Sequence, residues 1–226
     1  MHTTEPRGIV KFSLNLGTIL LFAIKVQVLF LAYTLRGAIV AGVFPALASA
    51  VKILLRRFEA GGKPMAHFTG PTATFKALNT EFGGFWRASF KEANALLYLD
   101  FGVLAVLWLD LGVNRVLIKS APLQYGLIVL LVMAMIYTLY ILTIYGRYEL
   151  HFWQYFRQAF VISIAHFSDT LAILVGTVVA TALLTLFPAL SLVALVPLYL
   201  TPMVWFSLHA CQYVETVIGS AAHENV

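Results

Sequence analysis

Charge is scarce in this chain of 226 residues: Asp, Glu, Lys and Arg together make up 11% of it. A water-soluble domain carries about 25%, so most of this surface is built to face something other than water. Cysteine occurs once, at Cys211, which excludes an internal disulfide. The common signatures of enzyme chemistry are missing too. "GGKP" at 61–64 lacks both the earlier glycine and the following Ser/Thr of a Walker A loop. There is no His-Glu-x-x-His, no Gly-x-Ser-x-Gly and no Cys-x-x-Cys. "KEANALLYLD" echoes the Glu-Ala-Ala loop by which ABC permeases grip their ATPase, but tyrosine stands at 98 where that loop needs glycine. No nucleophile–base pair can be named, so the sequence assigns neither an enzyme activity nor a metal or cofactor.

Apolar residues make up 61% of the chain, and several runs approach the roughly 20 residues that cross a hydrocarbon core. Transmembrane barrels alternate polar and apolar residues, and "YGLIVLLVMAMIYTLYILTIYG" does not. The expectation is an all-α membrane protein, one integral domain over 1–226. Its spans are expected at about 14–35, 39–55, 93–112, 121–145, 167–187 and 189–212. A signal peptide is the competing reading of the first run, since Arg7 and Lys11 precede it and "ALASA" follows. That run exceeds the ~7–15 residues of a signal core, and Arg36 separates it from "ALASA", so a retained helix is expected.

Orientation follows from the basic residues of the connections. With the N-terminus inside, ten lie on the cytoplasmic side and Arg36, Arg115 and Lys119 lie outside; Lys25 and Lys52 fall within spans. Both termini are thus expected in the cytoplasm of a multi-pass cell-membrane protein. Lys and Arg outnumber Asp and Glu 15 to 10. Orientation and lipid contact explain that excess, so nucleic-acid binding is not indicated.

"RGAIVAGVFPALASAVKILLRR" at 36–57 holds the shortest span. Ala38, Gly42, Ala46 and Ala50 recur every four residues, a smooth face that lets another backbone approach closely. Pro45 fits the first turn of a helix, where its missing N–H breaks no hydrogen bond. "FPAL" recurs at 187–190, but no longer period accompanies it, and coincidence is the preferred reading.

The largest polar segment is 56–92. "EAGGKPMAHFTGPT" reads as a loop. Over 72–92, Phe75, Leu78, Phe82, Trp86 and Phe90 then recur at helical spacing among Lys76, Arg87 and Lys91. This predicts an amphipathic helix in the membrane interface, broken at Gly83-Gly84. Lipid anchoring is its bland role; Phe82, Trp86, Arg87 and Phe90 as a partner surface is the sharper one. Trp153, Phe156 and Phe160 suggest a second such helix before the fifth span.

These stretches resemble the YesL family of bacterial integral membrane proteins. "GVFPALASAVKILLRR" is similar to that family's Gly-x-Phe-Pro-Ala helix ending in basic residues. "TFKALNTEFGGFWRASFKEANALL" resembles its aromatic-basic run into the third helix, and "YGRYEL" its Arg-Tyr motif after the fourth. The resemblance covers about 14–213. Members are typically encoded beside carbohydrate-utilisation genes and ABC-type sugar importers. By resemblance, this implies a role in sugar uptake or envelope carbohydrate handling, and it supplies no catalytic residues.

Inside the membrane, Lys25 sits near the middle of the first span, where a charge costs roughly 2.5–3.5 kcal/mol on insertion scales. Asp100 is its expected partner, with Lys52 competing; a buried ion pair is the bland reading and a polar substrate or proton path the functional one. Asp169 lies 19 residues before Pro188 and His209 lies 21 after it. A hairpin turning there brings His166, Asp169, His209 and Gln212 to one depth. Hydrogen bonding between helices is preferred over metal ligation, which needs three or four convergent ligands. Pro197 and Pro202 are expected to kink the last span.

Two functional classes remain. One is a non-enzymatic accessory protein that touches a sugar importer or other membrane protein. The other is a small transporter or channel with a polar site around Lys25 and Asp100. A hydrated cavity reaching Lys25 would favour the second.

Overall fold

The computed structural model describes residues 9–59 and 74–224, with side chains over 16–59 and 74–216. Among these, every regular element is helical: α1 (Ile9–Arg36), α2 (Val40–Glu59), α3 (Phe75–Val113), α4 (Ala121–Arg147), α5 (Phe152–Ala165), α6 (Phe167–Leu186) and α7 (Ala189–Glu224). Five segments are long and apolar enough to cross a membrane: Leu16–Arg36, Phe75–Ile118, Ala121–Arg147, Phe167–Leu186 and Ala189–Thr216. α2 is not among them, and Lys52, Arg56, Arg57 and Glu59 interrupt its apolar run. The loop expected over 59–72 lies, apart from Glu59, outside the described residues.

α2 nevertheless forms the centre of the bundle, packed against α1, α3, α4 and α7. Ala46, Ala48, Ala50 and Val51 have no exposed surface. The face expected from the sequence is therefore used, but without Ala38. Ala38 sits exposed in the turn from α1, where it and Ile39 have φ of 56° and 63°. Gly37 and Gly42 meet backbone to backbone beneath this turn, and Gly42 also touches the Thr34 carbonyl. No side chain fits there.

Pro45 departs from its expected place. α2 begins at Val40, so the proline is inside the helix and not in its first turn. Its missing N–H leaves the Ala41 carbonyl without its ordinary i+4 donor, and Asn94 Nδ2 of α3 donates to that carbonyl at 3.0 Å. The second "FPAL" differs: Pro188 precedes α7 and its carbonyl accepts from Ser191 N. The two motifs play unrelated roles.

α3 also corrects the sequence reading. It runs unbroken for 39 residues, joining the expected amphipathic segment to the third span. At 1.5 Å per residue it is about 58 Å long, well beyond a hydrocarbon core of ~30 Å. Gly83 does not break it. The Tyr33 phenol lies against Gly83 so closely that a Cβ there would collide with Oη. Past Val113 a single π turn, Asn114–Ile118, leads to Lys119 at φ 55°. Buried Asn114 closes the turn, donating Nδ2 to Ser120 O at 3.0 Å and accepting from Ser120 N at 3.3 Å.

α5 packs along α4, with Tyr155, Ala159 and Ile162 inward and Trp153 and Phe160 exposed. In α7 the irregular residue is Ala194 (φ −149°, ψ 18°), three positions before Pro197. The freed Val196 N–H donates to Gln27 Oε1 of α1 at 3.0 Å.

Candidate functional site

The sequence places His166, Asp169 and His209 at one depth, and the structure brings them into contact. His166 is the joint between α5 and α6, with φ −123° and ψ 64°. Its carbonyl accepts from Asp169 N at 3.1 Å, which fixes the aspartate one turn into α6. Asp169 Oδ2 lies 2.6 Å from His166 Nδ1 and 3.1 Å from His209 Nδ1. One carboxylate oxygen thus faces two imidazoles, accepting from each when the ring proton is on Nδ1. Thr170, next in sequence, exchanges a hydrogen bond with Tyr140 of α4 at 3.0 Å. Tyr213 packs its ring on His166, with centroids 4.4 Å apart. The Asp169 side chain is 10% exposed and that of His209 61%, so the cluster is closed on one side and open on the other. Gln212, grouped with these residues by depth, is exposed on α7.

The remaining polar residues do not join this cluster. Asp100 is buried at the α3–α4 contact near Thr138 and Tyr137, and its Oδ2 has no hydrogen-bond partner among the described residues. The pairing with Lys25 or Lys52 expected from the sequence is not among the ion pairs of the described residues. Lys52 instead lies between α3 and α4, with Nζ 3.5 Å from Ser89 Oγ and 5.0 Å from the Tyr145 ring centre. Lys25 is half-buried on α1.

Helical spacing identified the aromatic stripe of α3, but its direction is inward. Phe82 is fully buried beside Tyr33, ring centroids 5.1 Å apart, and Trp86 and Phe90 are half-buried. Of the four residues expected as a partner surface, Arg87 alone is exposed; it shares the outer side of α3 with Lys76, Thr80 and Lys91.

An ion-pair centre absent from the sequence reading joins the ends of α2 and α4 to α7. Arg147 reaches Glu59 of α2 and Glu215 of α7, each at 2.8 Å, and is itself 16% exposed. Tyr148 Oη also donates to Glu215. Burial, reinforced by that carboxylate, pushes the Tyr148 phenol above its ordinary pKa. The "YGRYEL" motif marked Arg147; nothing in the sequence marked glutamates 88 and 68 positions away as its partners.

The large cleft among α1, α6 and α7 has a volume of about 1020 Å³. Its walls are almost wholly apolar, with Ser168 and Thr201 the polar exceptions, and Lys25, Lys52 and Asp100 are not among its lining residues. No family model, curated protein or solved structure matches this chain.

Proposed function

We propose that the protein is a non-enzymatic membrane accessory protein that acts by contact in carbohydrate uptake or envelope carbohydrate handling. The observation that carries the contact reading is the separation of its buried polar groups. Lys52, Asp100 and the His166–Asp169–His209 cluster each have local neighbours and do not line the large cleft. A polar solute crossing the bundle would need such groups along one hydrated path. The carbohydrate assignment rests on the resemblance to the YesL family.

In this reading α2 is a sixth crossing and both termini are cytoplasmic. Its 20 residues reach about 30 Å, and four neighbouring helices separate it from lipid. A shielded helix carries Lys52 at lower cost than one facing lipid. Six crossings also preserve the ten-to-three distribution of basic residues. The contact surface is the outer, basic side of α3, not its aromatic side.

The test is sugar uptake in host cells lacking this chain. Uptake is expected to fall, and to be restored by the parent but not by Lys76→Glu/Arg87→Glu/Lys91→Glu present at equal level in the membrane. Undiminished uptake without the chain would overturn the carbohydrate assignment; full rescue by the triple variant would overturn the contact surface.

A further inference from the structure

We propose that His166, Asp169 and His209 bind a divalent transition-metal ion of the zinc class. Each residue offers one ligand atom, and the three atoms lie within 4.8 Å of one another. Two of the separations are 2.6 and 3.1 Å. Zinc bonds of ~2.0–2.1 Å in tetrahedral geometry hold ligand atoms roughly 3.3–3.4 Å apart. The two short separations therefore have to open by less than about an ångström and the third, within 4.8 Å, to close by up to about 1.5 Å, a movement that the exposed His209 side chain can supply.

The electrostatics point the same way. A buried carboxylate is costly unless a cation or several donors compensate it. The ion pairs of Asp169 among the described residues are with these two imidazoles, and no Lys or Arg takes part. A dication at the point where both Nδ1 atoms meet Oδ2 supplies that compensation directly. The rings need only carry their protons on Nε2, which frees both Nδ1 lone pairs.

The ligand types select the ion. Two imidazoles and one carboxylate suit zinc and its first-row neighbours, whereas calcium and magnesium favour shells of oxygen. Three protein ligands leave a coordination position on the open side beside His209, available to water or to a group from outside the chain. The first ligand is the α5–α6 joint and the last lies on α7, so the ion would lock these elements together.

Zinc titration of the chelator-stripped full-length protein in detergent, followed by calorimetry, tests this. One ion per chain is expected. His209→Ala, on the exposed side, should weaken binding by at least about 10–100-fold, the loss typical of even an outer-shell partner. Asp169→Asn should do the same, with circular dichroism confirming that both variants are folded. Cobalt(II) in place of zinc should give the intense visible bands of a four-coordinate site in the parent and lose them in His209→Ala. Zinc binding no tighter than in His209→Ala, or a cobalt spectrum like that of the aqueous ion, would overturn the proposal and leave a hydrogen-bonded trio.

Discussion

Asn94 of α3 donates its side-chain amide to the Ala41 carbonyl, the α2 acceptor that Pro45 cannot serve. Gln27 of α1 performs the converse task, accepting from the Val196 N–H released by the irregular turn at Ala194. In a bilayer, backbone groups freed by proline or a kink must be satisfied from within the protein. Two side-chain amides meet that need here, and each ties its own helix to a broken one. A third residue, Arg147 at the end of α4, ties the end of α2 and Glu215 within α7 together by charge.

The Asn94 relationship predicts a coupled pair of substitutions. Asn94→Ala should destabilise the protein by about 1–3 kcal/mol, the cost of a buried acceptor left unsatisfied. Pro45→Ala restores a backbone N–H within reach of Ala41 O. In that background Asn94→Ala should cost clearly less, as read by thermal unfolding in detergent. Equal costs in both backgrounds would mean the amide does not replace the missing donor.

Adjacent glycines of α3 should behave oppositely. Gly84 has open space around it, so Gly84→Ala should be neutral or stabilising by up to about 1 kcal/mol, the helix-propensity difference. Gly83→Ala meets the Tyr33 phenol and should lower the melting temperature. Tyr33→Phe, which removes the colliding oxygen, should recover much of that loss. A Gly83→Ala variant as stable as the parent would show that the two helices do not approach so closely.

These glycines also show where the sequence was legible and where it was not. Spacing alone marked Gly42, Ala46 and Ala50 as a packing face, because small residues at four-residue intervals have one geometric consequence. Counting from Pro188 placed Asp169 at the depth of His209, because helical rise is fixed. Gly83-Gly84 looked like a helix break, but Gly83 answers to Tyr33, a residue of another helix. Pro45 looked like a first-turn proline because the amide that lets it sit deeper, Asn94, is 49 positions away. Phe82 and Trp86 were found as one stripe, yet period does not say which way a stripe faces. Local geometry was readable, and cross-helix partners were not.

The six-crossing arrangement predicts the outcome of labelling in intact cells. With Cys211 replaced by Ala, a cysteine at Ile118, in the α3–α4 turn, should react with an impermeant maleimide from outside. A cysteine at Gly62 should react only after the cells are opened. The reverse pattern, with Gly62 reacting from outside and Ile118 only in opened cells, is what a non-crossing α2 gives when the N-terminus is inside, and it would contradict this arrangement.

The most direct measurement of the central claim is solute flux through the purified protein alone. Sealed liposomes carrying it should take up labelled mono- and disaccharides no faster than protein-free liposomes, because among the described residues Lys52, Asp100 and the His166–Asp169–His209 cluster do not line the large cleft. Gradient-driven uptake above that background, lost in Asp100→Asn while the variant stays folded, would contradict the account and establish a transporter instead.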